Sequence, residues 1–140
     1  MSKILAIDYG IKKTGLALSD ESTTFAFGLE TVDTIKLIPY LKKLVFQENI
    51  VTFVVGEPKQ MDGSLSQSEE HIQSFLVKIK KELSGITIIR VDERFTSKMA
   101  FDAMISGGLK KKQRQNKKLI DKISATIILQ TYLDRKNLTQ

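Results

Sequence analysis

A chain of 140 residues, 41% apolar and 27% charged, has the size and make-up of one folded domain spanning 1–140 rather than of a disordered segment. With no cysteine and a single histidine, His71, it excludes disulfides, cysteine nucleophiles and thiolate or histidine zinc centres, so any metal must be oxygen-ligated, as Mg²⁺ or Mn²⁺ are. The net charge of +6 is concentrated in residues 98–140, which hold 10 Lys/Arg against 3 Asp/Glu, and such an asymmetry fits a polyanion bound at one place.

The first third reads as strands. Lys3–Asp8 is short, apolar and partly β-branched, and it ends at the turn signal Asp8-Tyr9-Gly10. Thr14–Ser19 follows across a tight turn, and a third extended segment runs from about Thr23 to Thr31. Asp33 or Thr34 is the expected N-cap of a helix through Glu48, with Ile35, Ile38, Leu41, Leu44 and Val45 at helical spacing and Pro39 near its start. Ile50–Val55 reads as a strand buried on both faces.

A polar loop, Gly56 to Ser66, leads to a helix from about Gln67 to Leu83, with Ile72, Phe75, Leu76, Ile79 and Leu83 on one face. Ile86–Val91 is expected to be another buried strand, followed by Asp92-Glu93-Arg94. Thr96 or Ser97 caps a further helix that stops at Gly107-Gly108. A basic segment then precedes the last helix, Leu119 to about Arg135. The order predicts an α/β fold with a five-stranded mixed sheet covered by helices. Asp8 comes too early for a secretory h-region, and no apolar stretch approaches the ~18 residues of a membrane span, so a cytoplasmic location is expected.

Three acids stand out. Ligands of open α/β sheets gather at the carboxyl ends of the strands, where Asp8 and Asp92-Glu93 lie. Asp121, Ala125, Ile128 and Tyr132 form one stripe of the last helix, so Asp121 points toward the body of the protein. Converging carboxylates repel, and a divalent cation relieves that repulsion, which makes metal-dependent phosphodiester hydrolysis the natural chemistry. Each acid also has a structural reading: Asp8 as a turn former, Asp92 or Glu93 as partner of Arg90 or Arg94, and Asp121 as a helix cap or a partner of nearby lysines.

Four ordered blocks resemble a known family over nearly the whole chain. Residues 8–20, Asp8-Tyr9-Gly10-Ile11-Lys12-Lys13-Thr14-Gly15-Leu16-Ala17-Leu18-Ser19-Asp20, resemble the opening motif of the YqgF/RuvX family. Val55-Gly56-Glu57-Pro58 with Met61-Asp62-Gly63-Ser64 resembles the second block, Asp92 to Ser97 the third, and Asp121 to Asp134 the fourth. The resemblance implies a ribonuclease H-like fold and a cytoplasmic nuclease that matures the 5′ end of pre-16S rRNA. It implies Asp8, Glu93 and Asp121 as catalytic metal-binding acids, preferring Glu93 to Asp92, with Mg²⁺ or Mn²⁺ as cofactor. Three residues depart from the family pattern: Lys13 replaces an arginine, Glu57 an apolar residue and Ser124 an alanine.

Lys110, Lys111, Lys112, Arg114, Lys117 and Lys118, just ahead of Asp121, read as a phosphate-neutralising arm, with Lys12, Lys13 and Arg94 as further nucleic-acid contacts. The sparse aromatics predict recognition of shape and backbone rather than sequence, and His71 receives no role. Structured RNA is the expected partner, with no membrane association. The alternatives are cleavage of four-way DNA junctions, which calls for a two-fold dimer, and a non-catalytic RNA-binding module. The opening block also resembles the phosphate turn of actin-like ATPases, but those need two such domains.

Overall fold

The computed structural model describes residues 2–59, 63, 67–93, 99, 102, 107 and 117–138. Among these, five strands form one mixed sheet around β1 (Lys3–Asp8). On one side β1 pairs antiparallel with β2 (Lys13–Ser19), which pairs antiparallel with β3 (Ala26–Asp33). On the other it pairs parallel with β4 (Ile50–Glu57), and β4 pairs parallel with β5 (Thr87–Asp92). The order is β3-β2-β1-β4-β5. Parallel pairing needs crossovers, supplied by α1 (Leu37–Glu48) and α2 (Glu69–Glu82).

Strand alternation divides the core. Leu5, Ile7, Leu16 and Phe53 face α1 and α2, packing against Leu37, Leu41, Ile72 and Ile79. Ile4, Ala6, Ala17 and Val54 face the other way, onto Ala125, Ile128, Leu129 and Leu133 of α3 (Lys117–Leu138). The α3 face of the sheet is lined by small residues where the helix crosses it. A Cβ on Gly15 would stand 2.1 Å from the carbonyl oxygen of Asp121, so backbone of helix and strand touch.

Several boundaries differ from the sequence reading. β3 starts at Ala26 rather than Thr23, because Asp20 Oδ1 accepts the amides of Thr24 (2.8 Å) and Phe25 (3.0 Å) and Thr23 is left-handed (φ 54°). Asp33 caps no helix with its side chain; its carboxylate pairs with Lys13, and a 3₁₀ turn (Thr34–Lys36) precedes α1. β4 runs on through Gly56 and Glu57, since β5 continues to pair with it as far as Asp92. β5, expected to be buried on both faces, is an edge strand with Thr87 and Asp92 exposed. The helix expected from Thr96 or Ser97 to Gly107 lies largely outside the described residues. No helix among the described residues is long and apolar enough to cross a membrane.

The Gly15 contact makes a direct expectation. Gly15→Ala forces α3 off β2, an overpacking that costs about 1–3 kcal/mol. A chain of this size is expected to lose about 3–10 °C in Tm, measured by circular dichroism.

Candidate active site

Asp8 ends β1 on the α3 face, in phase with Ile4 and Ala6. The loop that follows is closed tightly. A Cβ on Gly10 would lie 2.2 Å from the Lys13 carbonyl oxygen, so only glycine turns the chain there. The Gly10 amide reaches Thr14 Oγ1 (3.5 Å), while Thr34 Oγ1 donates to the Gly10 carbonyl (2.7 Å) and lies 2.8 Å from Thr14 Oγ1.

Glu93 follows β5, its amide donating to the carbonyl of Glu57 (3.2 Å). Its side chain lies across Gly56: a Cβ there would be 2.5 Å from Glu93 Oε2 and 3.0 Å from Ile128 Cδ1 of α3. The carboxyl is therefore on the α3 face, where it hydrogen-bonds to Asp8. Burial pushes the Glu93 carboxyl up to about 9, with the charge and hydrogen bond of Asp8 adding to it and Asp92 contributing least. Arg90 opposes the shift. Of the two adjacent acids, Glu93 is thus the one set against Asp8, while Asp92 is exposed at the end of β5.

Asp121, only 5% exposed, lies on α3 one turn before Ala125. It is the fifth residue of the helix and so no N-cap. Its backbone rests on Gly15, whose cross-strand partner in the sheet is Asp8. The three acids therefore share the carboxyl edge of β1 and β5 on one face of the sheet. Among the described residues, however, no group of three acid or histidine side chains is set as placed to hold a metal ion. The contacting Asp8–Glu93 pair nevertheless fits a divalent cation: the two carboxyls disfavour each other's ionised form, and a bound cation would relieve that repulsion.

Arg90 was read from sequence only as a possible partner of these acids. Its guanidinium instead forks onto the buried Glu69 of α2 (2.8 and 2.9 Å) and bonds the carbonyls of Val55 (3.2 Å) and Gly56 (3.0 Å). This fixes the end of β4 beneath Glu93, and the Arg90 hydrogen bonds hold the Glu69 carboxyl below its ordinary range. Gly56, read from sequence as the start of a polar loop, is instead part of β4 and the platform for Glu93. Its place in a strand beside Glu57 was the available signal. Glu57 itself pairs with Lys59 (3.3 Å).

Of the expected phosphate contacts, Lys12 is exposed beside the Asp8 loop, and Lys13 is engaged by Asp33. Lys118 is exposed, and its carbonyl accepts from Thr31 Oγ1 (2.6 Å). Lys13 and Lys118 line a cleft of about 320 Å³ together with Lys36, a cation the sequence reading did not select. Because β2 begins and β3 ends there, this cleft lies at the same edge as the acids. Lys117 opens α3, and Arg94, Lys110, Lys111, Lys112 and Arg114 lie outside the described residues.

Residues 2–135 match the RuvX family, described as "Holliday junction resolvase". The chain belongs to the RuvX family. By family it is a nuclease, a hydrolase of phosphodiester bonds. This RuvX chain is 54% identical over 136 residues to a protein of Flavobacterium psychrophilum, covering 97% of this chain and 99% of the relative. It is 55% identical over 133 residues to one of Christiangramia forsetii (95% and 98% covered), and 49% identical over 138 residues to one of Bacteroides fragilis (99% and 100%). All three carry the name "Putative pre-16S rRNA nuclease". Among solved structures, Thermus thermophilus RuvC in complex with a Holliday junction substrate superposes with a TM-score of 0.59 at 15% identity, covering 98% of this chain and 97% of that one. RuvC from the same organism alone gives a TM-score of 0.57 at 15% identity, covering 96% of each chain. The ribonuclease H-like fold implied by the sequence blocks is the fold observed.

Two expectations follow from the RuvX site. Between about 4.5 and 9 the unfolded chain ionises Glu93 while the folded chain keeps its proton, so the cation-free protein loses stability as pH rises through that range. Asp8→Asn is expected to flatten this slope and to raise Tm at pH 8 in chelator, by about 3 °C for each kcal/mol of repulsion removed. Gly56→Ala displaces the far end of a flexible side chain, so Tm is expected to hold in thermal melts. Its cleavage rate is expected to fall by about 100-fold through misplacement of Glu93.

Proposed function

We propose that this RuvX nuclease processes the 5′ end of pre-16S rRNA in the cytoplasm, as one ribonuclease H-like domain, using Asp8, Glu93 and Asp121 to hold Mg²⁺ or Mn²⁺. The observation that carries the proposal is the buried contact of Glu93 with Asp8 over Gly56. A pair of carboxyls held together at a cost to folding is hard to account for in a module that only binds RNA. The names of the relatives that match almost the whole chain supply the substrate.

The chemistry supplied by bound Mg²⁺ or Mn²⁺ is activation of a water and stabilisation of the leaving oxygen of the phosphodiester. The protein's part is positioning. The β1–β2 ladder fixes Asp8 opposite Gly15, Arg90 fixes the strand end beneath Glu93, and the close approach of α3 brings up Asp121. Lys36 and Lys118 in the cleft, with the exposed Lys12 beside the Asp8 loop, supply phosphate neutralisation along the same edge, and the sequence carries five further cations at 110–117.

A second reading, cleavage of four-way DNA junctions, is favoured by the family's description and by the likeness to junction-bound RuvC. One assay separates the two: cleavage of a 5′-extended 16S rRNA precursor and of a four-way DNA junction with Mg²⁺ or Mn²⁺. The wild-type protein is expected to cut the RNA, and Asp8→Asn and Asp121→Asn to lose on the order of 10³-fold in rate. Cutting of the junction alone establishes the second reading. RNA binding without cleavage of either substrate overturns both. Lys12→Ala with Lys36→Ala is expected to weaken RNA binding and to lower the slope of log affinity against log salt by about 1.5–2.

A further inference from the structure

Asp8 and Tyr9 leave β1 on opposite faces of the sheet. Asp8 follows Ile4 and Ala6 toward α3, whereas Tyr9 follows Leu5 and Ile7 toward α2, where its ring lies 5.0 Å from that of Phe75. These rings floor a cavity of about 410 Å³ between the Asp8 loop, the 3₁₀ turn and α2. One wall is Ile35, an aliphatic side chain left 89% exposed. The other is a stripe of α2, in which His71, Ser74 and Lys78 stand at i, i+3 and i+7 with Phe75 beneath them.

The chemistry of this lining is selective. Flat aromatic and aliphatic surfaces suit a planar ring, and the three polar α2 side chains at the rim offer donors. Among the described residues, none that lines the cavity is a carboxylate, although the chain carries 16 Asp and Glu, so an anionic group meets no like charge from this lining. The volume falls within the range of small-ligand sites, roughly 300–1,000 Å³. Tyr9, which lines it, follows Asp8 directly at the end of β1, so a strand crossing that sheet edge would carry one nucleotide past Asp8 and the next over Tyr9.

We propose that this cavity seats a single unstacked nucleotide of the substrate strand, next to the phosphate that is cut. The base lies on Tyr9, whose ring the buried Phe75 backs, beside Ile35, and the phosphate meets Lys78 and His71. The placement relative to cleavage rests on the nuclease reading above; the occupancy of the cavity by a nucleotide does not. Recognition of one splayed base in this way selects a flexible single-stranded flank over a duplex one.

His71 is the chain's only histidine and gives a private NMR probe. The imidazole resonances are followed during titration with AMP and CMP, with ribose 5-phosphate and inorganic phosphate as controls. Saturable shifts with affinity of about millimolar order are expected for the nucleotides. Ribose 5-phosphate is expected to bind at least about tenfold more weakly, because it lacks the stacking ring. Ser74→Glu and Lys78→Glu, both at exposed helix positions, are expected to abolish the nucleotide shifts while folding normally. Absence of shifts with AMP and CMP overturns the proposal, as do equal shifts with ribose 5-phosphate, which define a phosphate site only. The cleavage assay on the same protein keeps the two readings apart. Nucleotide binding without cleavage retains the cavity and removes the nuclease, and cleavage without nucleotide binding does the reverse.

Discussion

The contact on which the rest depends is the one between Gly15 and the backbone of Asp121. A helix packed on a sheet through ordinary side chains stands about 10 Å away, too far for a short aspartate to reach a strand end. Here a glycine in β2 and alanines at 6 and 17 remove the intervening side chains, and Ala125 does the same on the helix. The acid is thereby carried inward on a rigid element instead of a loop. The same approach buries Ile128, Leu129 and Leu133 against Ala6 and Val54, so the hydrophobic packing that stabilises this face also sets the position of the charge.

That arrangement works against folding where Asp8 meets Glu93. Glu93 and Asp8 are held together in partial burial, and burial together with the Asp8 charge pushes the Glu93 carboxyl toward its protonated form. On the opposite face, by contrast, the buried Glu69 carboxylate is answered on both oxygens by the Arg90 fork. The two acids have opposite kinds of partner. One pairing is closed by a neighbouring guanidinium and serves the scaffold; the other is left as two carboxyls and needs something from outside.

Much of this was legible in the chain. The β1 limits, Lys3–Asp8, follow from composition and the turn signal alone, and the stripe Asp121, Ala125, Ile128 appears as buried as its spacing demands. Long-range pairing was less visible. β5 carries the same apolar residues as an internal strand, and only the sheet order makes it an edge. β3 begins late because a side-chain oxygen of Asp20 competes with the ladder for two amides, a local event that periodicity does not register. Residue alternation alone could not choose between Asp92 and Glu93. The contact of Glu93 with Asp8 depends on Gly56 in the next strand, which leaves room for the Glu93 carboxyl across it. Likewise the cavity under Ile35 involves three separated segments, and His71 reads as an ordinary helix residue until they are brought together.

The hydroxyls of Thr14 and Thr34 join parts of the molecule that the sheet would otherwise keep separate. Thr34 belongs to the 3₁₀ turn that carries Ile35, yet its oxygen is tied to Gly10 and to Thr14, the two ends of the loop that follows Asp8. The aliphatic wall on one face and the acid loop on the other are therefore one mechanical piece. Whatever presses on Ile35 also steadies the strand end from which Asp8 projects, so under the proposed function interaction energy gained at the cavity would be delivered as order at that carboxylate.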